Sequence, residues 1–362
     1  METIADFEVQ YSQFLDPDGK PSSDIPELAK DADTLIGLYR AMTETRVFDT
    51  KAVNLQRTGK LGTYASSLGH EAAHVGLAAA MLEDDVLAPS YRETGTMLYR
   101  GVRMEELLLY WGGDERGSDF ADAKHDFPYC VPIATQCLHA AGAAMAFQLR
   151  GEPRCAVSVN GDGGTSEGAF YEAMNIAGAR NLPVVFIVIN NKWAISVPIE
   201  QQTATQTLAQ KAVAAGIPGI QVDGNDVIAV RHWVERALAR ARNGEGACLI
   251  EAVTYRLSDH TTADDASRYR KKEDVDAARK VEPLIRLRKY LTDLGAWDED
   301  TEKALLEDAA DKVDIAVQKY LNTPKPAVES MFDYMYEELP EFLEEQRDHA
   351  RKYADKNGGE HG

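Results

Sequence analysis

The stretch CAVSVNGDGGTSEGAFYEAMNIAGARNLPVVFIVINNKWAIS, residues 155–196, carries the reading that decides the fold. Two short apolar runs, CAVSV at 155–159 and VVFIVI at 184–189, have the length and β-branched content of buried strands. Between them, about 168–180 reads as a helix. A third apolar run, LIEAV at 249–253, and helical stretches at 140–149 and 227–240 extend the pattern, with Val227, Val230, Val234 and Leu238 on one face of the latter. Strand and helix in alternation predict an α/β fold, a mostly parallel sheet flanked by helices on both sides.

The loops at the ends of these runs carry the chemistry. Gly161-Asp162-Gly163-Gly164 follows the first strand and Asn190-Asn191 ends the second. In an open α/β sheet, ligands bind beyond the carboxyl ends of the strands. Adjacent parallel strands would therefore bring the side-chain oxygens of Asp162 and Asn191 to one edge. Mg²⁺ takes hard oxygen ligands and shares them with phosphate oxygens. Gly161, Gly163 and Gly164 let backbone N–H groups approach a diphosphate, and the helix starting near Glu167 directs its positive end there. Gly-Asp-Gly is by itself also an ordinary turn. The second buried strand ending in Asn-Asn is what a two-ligand metal site needs and a turn does not. No GxxxxGK[ST] loop or dinucleotide GxGxxG is present.

Composition removes other classes. Thirty-nine basic against 59 acidic residues give a net charge of −20, which repels a nucleic-acid backbone. No apolar run approaches the roughly 18 residues of a membrane-spanning helix. The start, METIADFEVQ, lacks the basic and apolar regions of a signal peptide, so the expected location is cytoplasmic. Cys130, Cys137, Cys155 and Cys248 show no metal-ligand spacing and are expected as buried free thiols.

Three regions are expected along the chain. Residues 1–34, broken by Pro17, Gly19, Pro21 and Pro26, read as an irregular arm of the kind that wraps a partner. Residues 35–275 form the binding domain. It opens with a helical pattern through Leu35, Leu38, Met42, Thr45 and Ala52 and a second from His70 to Met81. Val86-Leu87-Ala88 reads as a strand placed just before Tyr91-Arg92. Residues 276–362 read as a charged, helical C-terminal appendage, with Pro324 and Pro326 separating 300–322 from a last acidic stretch.

The motif at 161–196 resembles the thiamine diphosphate motif of alpha subunits of pyruvate and branched-chain 2-oxo acid dehydrogenases. The resemblance runs over nearly all of 35–340, through LGTYASSLGHEAAHVG, SYRETG, KAVAAGIPGIQVDGNDV, SDHTTADDASRYR and MFDYMYEELP. It implies a thiamine diphosphate-binding fold in which Asp162, Asn191 and the main-chain carbonyl of Trp193 hold Mg²⁺. It also implies that Tyr91 and Arg92 contact the cofactor, that Val131 and Ile133 hold its bent shape, and that His260 touches the diphosphate and the reacting intermediate. The His260 ring could then stabilise developing charge or move a proton near pH 7. His70 and His74, four apart on a helix, read as packing or pocket-lining residues, and His139 as packing within its helix.

Two positions depart from the family pattern. Thr63 stands beside Tyr64 where relatives often carry Phe, and Thr261 stands where mammalian relatives carry a regulatory phosphoserine. The resemblance implies a beta subunit that supplies the Glu facing the aminopyrimidine, two alpha and two beta chains, and transfer of the acyl group to a lipoyl-bearing dihydrolipoyl acyltransferase. Among substrates, TLAQKAVAAGIPGIQVDG and LGTYA point to the bacterial pyruvate dehydrogenase type, as does the lack of an MPxHxG-like loop at 112–130. A branched-chain 2-oxo acid dehydrogenase is the alternative, and acetoin dehydrogenase a more distant one. A non-catalytic Mg²⁺-nucleotide module is the reading from another class.

Overall fold

The computed structural model describes residues 1–356. Its strands are β1 (Gln10–Ser12), β2 (Val86–Ala88), β3 (Ala156–Gly161), β4 (Val184–Asn190), β5 (Trp193–Ala194), β6 (Val197–Pro198), β7 (Gly219–Asp223) and β8 (Cys248–Val253). Six of them form one sheet in the order β1-β7-β8-β4-β3-β2. Every neighbouring pair in it is parallel. β5 and β6 make a separate antiparallel hairpin just beyond β4.

Helices α1 (Ala32–Arg57) and α2 (Glu71–Ala80) precede β2, and α3 (Thr94–Tyr99) and α4 (Met104–Trp111) follow it. α5 (Thr135–Arg150) and α6 (Gly168–Arg180) bracket β3. Short α7 (Ile199–Gln202) and α8 (Lys211–Ala214) lead to β7, and α9 (Val227–Arg242) joins β7 to β8. Beyond β8 come α10 (Lys272–Arg279), α11 (Pro283–Asp293), α12 (Glu299–Asn322), α13 (Ser330–Asp333) and α14 (Glu341–Lys356).

The apolar runs are continuous rather than alternating because the central strands are covered on both faces. Val184, Phe186 and Val188 of β4 pack with Phe147 of α5 and with Phe170 and Met174 of α6. A second core joins Leu38, Tyr39 and Met42 of α1, Val75 of α2, Val227 and Ile228 of α9, and Leu287 and Leu291 of α11. None of the helices is long and apolar enough to cross a membrane, among the described residues.

Three expectations are corrected. The arm over 1–34 is not wholly irregular: β1 pairs with β7 at the sheet edge, and Phe14 and Leu15 are buried in the second core. The amides of Phe14 and Leu15 donate to Asp226 Oδ2 at 2.7 and 2.8 Å, while Oδ1 of the same carboxylate caps α9 through Ile228 N and Ala229 N. The boundary at 275/276 is also displaced. α11 belongs to the core, and Arg286 on it pairs with Asp223 at the end of β7, Nη1 to Oδ2 2.5 Å. Residues 1–318 form one compact unit, and the described residues from Lys319 form a second. Finally, Cys137, Cys155 and Cys248 are buried free thiols, but Cys130 is only partly buried.

A candidate active site at the carboxyl edge of the sheet

The register of β3 and β4 sets Gly161 opposite Ile189. Asp162 leaves β3 one residue later and Asn191 leaves β4 two residues later, so both reach the same edge. They line one cavity of about 240 Å³, together with Gly161, Gly163, Gly164 and Trp193. Asp162 is buried and its Oδ2 has no hydrogen-bond partner. Burial pushes its carboxyl up to about 6. Asn191 Oδ1 accepts from Trp193 N at 3.1 Å, and the Trp193 carbonyl accepts only a long bond, 3.4 Å, from Arg256 Nη1.

Several contacts fix the turn that carries Asp162. Residues Gly163–Ser166 make one 3₁₀ turn, and Thr165 Oγ1 donates to the Asp162 carbonyl at 2.7 Å. Gln202 Nε2 donates to the same carbonyl at 2.6 Å, and the buried Lys211 ammonium donates to Thr165 O and Oγ1 at 2.9 and 3.0 Å. A Cβ at Gly164 would lie 2.2 Å from Asn160 Oδ1, so the close approach requires glycine there.

A second wall is built around Arg92 and His260. Arg92 Nη1 donates to Ser66 O at 2.6 Å, and Nη2 to His260 O at 2.9 Å, with His260 Nδ1 at 3.1 Å. Arg256, wholly buried, lies 3.5 Å from the same Nδ1 and donates to Ile195 O at 2.8 Å and Tyr269 OH at 2.7 Å. Burial, then the two guanidiniums, push the His260 ring down to about 4. Two cationic donors facing Nδ1 make it the acceptor, so the neutral ring carries its proton on Nε2. Tyr91 stands edge-on to this ring at 6.2 Å between centroids.

The predicted residues are not gathered equally. Tyr91, Arg92, Ile133 and His260 line the cavity, whereas Val131 is 53% exposed and lies outside the lining. Thr63 is exposed and also outside it, so its small side chain sets no size limit there. His139 is exposed and stacks on Phe127 at 5.9 Å rather than packing within its helix.

Other lining residues escaped the sequence reading. Glu93 is buried, with its carboxyl pushed up to about 7 by burial, and it accepts from Arg92 N at 3.2 Å. Non-glycine residues with positive φ are Ala134, Lys192, Ile195 and Asn181. Ala134 and Ile195 line the cavity, and Lys192 sits between two of its residues. A β-branched residue held at φ 56°, as Ile195 is, costs conformational energy that a surrounding structure must sustain, and such strain clusters at functional sites.

The dehydrogenase E1 component family model matches residues 39–329. The chain belongs to that family. It is 44% identical over 345 residues to the 3-methyl-2-oxobutanoate dehydrogenase subunit alpha of Mycobacterium tuberculosis, covering 94% of this chain and 93% of the relative. It is 39% identical over 337 residues to the pyruvate dehydrogenase E1 component subunit alpha of Staphylococcus aureus, covering 92% and 90%. The corresponding Staphylococcus epidermidis subunit is 39% identical over 348 residues, covering 95% and 93%. Identity is thus higher to the branched-chain relative than to these pyruvate relatives, against the preference drawn from the segments at 207–224.

Membership in the E1 family makes the chain an alpha component of a thiamine diphosphate- and Mg²⁺-dependent 2-oxo acid dehydrogenase. The residues present fit that pair. Asp162 Oδ2 is an orphaned buried carboxylate oxygen, and Asn191 and Trp193, with an amide oxygen and a carbonyl that accepts a long bond, line the same cavity, a hard-oxygen set suited to Mg²⁺. No cluster of three or more His, Cys, Asp or Glu competes as a metal site among the described residues.

Proposed function

We propose that this chain is the diphosphate- and metal-holding half of an enzyme that oxidatively decarboxylates branched-chain 2-oxo acids. It would act with a beta subunit, two chains of each, and pass the acyl group to a lipoyl-bearing dihydrolipoyl acyltransferase. The observation that carries the reading is the pairing of Asp162, whose buried Oδ2 lacks a partner, with Asn191 at the ends of adjacent parallel strands. Asp162, Asn191 and the Trp193 carbonyl hold Mg²⁺, and Gly161, Gly163 and Gly164 admit the diphosphate. Tyr91, Arg92, Ile133 and the backbone at Val131 support the cofactor. Thiamine diphosphate, when bound, supplies a nucleophilic carbon and an electron sink for loss of CO₂. His260, neutral and protonated on Nε2, would donate a proton from that atom and take it back.

Replacing Asp162 or Asn191 by Ala is expected to abolish Mg²⁺-dependent thiamine diphosphate binding in titration calorimetry with circular dichroism unchanged; undiminished affinity contradicts the ligand assignment. The branched-chain assignment draws on the 44% relative, and the 39% relatives support pyruvate as the second reading. Steady-state assays of the reconstituted pair separate them. A larger kcat/KM for 3-methyl-2-oxobutanoate than for pyruvate is expected, and the reverse order assigns pyruvate.

A further inference from the structure

His70 caps α2 and His74 comes one turn later, so their rings share a face, with centroids 5.5 Å apart. Both are fully buried, yet both line the cavity that holds Asp162 and Asn191. All four ring nitrogens lack a hydrogen-bond partner. A buried imidazole N–H without an acceptor is costly, and native proteins leave such groups open chiefly where a ligand or water completes them. Two unpartnered imidazoles in the lining of one cavity mark a polar wall that a guest could complete.

The neighbouring groups narrow what the guest is. Both terminal nitrogens of Arg92 already donate to backbone oxygens, fixing the Ser66 and His260 segments. The histidine pair is therefore a set of donors on this wall not spent on the protein itself. Burial and the adjacent Arg92 hold both rings well below the usual histidine range, with Arg256 and the partner ring adding to the effect at His70. Each ring is neutral at pH 7 and offers one N–H and one lone pair.

We propose that His70 and His74 form a substrate subsite that binds the carboxylate of the 2-oxo acid through neutral imidazole N–H groups. Chemistry favours this choice over a cationic clamp. Decarboxylation removes the negative charge from the carboxylate, so a cation bound to it would stabilise the ground state more than the transition state. Neutral donors orient the group while opposing its departure less. The inference rests on the 2-oxo acid function proposed above.

The test uses the alpha chain reconstituted with its beta subunit and the variants His70→Phe and His74→Phe. Neither ring bonds to the protein, so an apolar ring of similar shape leaves folding intact. Each variant is expected to raise KM for the 2-oxo acid by about 10-fold, the scale of a hydrogen bond to a charged group, with a smaller change in kcat. Thiamine diphosphate affinity, measured by calorimetry with Mg²⁺, is expected to stay the same. His70→Gln and His74→Gln, which restore an N–H donor, are expected to recover part of the KM, a rescue that a purely structural role does not predict. Unchanged KM in both Phe variants overturns the subsite, as does an equal loss of cofactor affinity, which would make the pair a cofactor contact. If the parent pair binds cofactor but turns over no 2-oxo acid, the function itself fails, and the subsite with it. Parent turnover with unchanged KM in the variants rejects the subsite alone.

Discussion

That Asp162 and Asn191 reach one edge was legible in the sequence because each follows a buried apolar run, and the parallel register of β3 and β4 brings the two strand ends together. His260 was legible only through its loop position and the resemblance around it. Its environment was not: Arg92 and Arg256 come from separate segments, and only their convergence on Nδ1 fixes the tautomer. His70 and His74 showed their helical spacing in the sequence, but spacing says nothing about whether a ring finds a partner. The strain at Ile195 had no sequence signal, since isoleucine in a loop is ordinary until its φ is known. For His260, replacement by Ala is expected to lower kcat of the reconstituted enzyme by about 10²-fold, with cofactor affinity changed less. Its folded pKa, about 4, lies below the ordinary value of 6.5, so the neutral ring persists as pH falls until about 4. The profile of kcat between pH 5 and 8 should therefore owe no inflection to His260. Full activity of the variant, or a parent inflection near 6.5 that vanishes in it, contradicts this assignment.

At the scale of elements, the long apolar strands β3, β4 and β8 and the amphipathic helices could be read directly, whereas β1 and β7 could not. Gln10–Ser12 is three residues of largely exposed, polar chain, and Gly219–Asp223 mixes glycine, glutamine and aspartate with its apolar positions. Their pairing is a tertiary effect, set by the sheet edge and by Asp226, whose one carboxylate serves both α9 and the arm. Asp226→Ala removes the helix cap and leaves the buried amides of Phe14 and Leu15 without an acceptor. A loss of about 3 kcal/mol in stability is expected, the sum of a cap and an unsatisfied pair. Urea unfolding followed by fluorescence checks it, and a loss below about 0.5 kcal/mol, the range of a surface substitution, counts against the shared anchor. α11 was misassigned for a similar reason. Its charged sequence suggested an appendage, yet Arg286 uses its charge inward, on Asp223.

Across the whole molecule, the described residues contain one parallel sheet, and its carboxyl edge carries the cavity proposed to hold the diphosphate and metal. Every strand lies before Thr254, and the elements beyond β8 are helices, among the described residues. No second parallel sheet offers a glutamate to activate the aminopyrimidine, among the described residues. Of the glutamates lining the cavity, Glu93 accepts from the Arg92 amide and Glu167 is exposed at the start of α6. The remaining wall is expected from the beta subunit, across the large apolar interface typical of obligate complexes. Decarboxylation of 3-methyl-2-oxobutanoate with an artificial electron acceptor, measured with saturating thiamine diphosphate and Mg²⁺, tests this division directly. The purified alpha chain should bind the cofactor through Asp162 and Asn191 yet show no turnover, and adding the beta subunit should restore it. Robust turnover by the alpha chain alone would contradict a shared site.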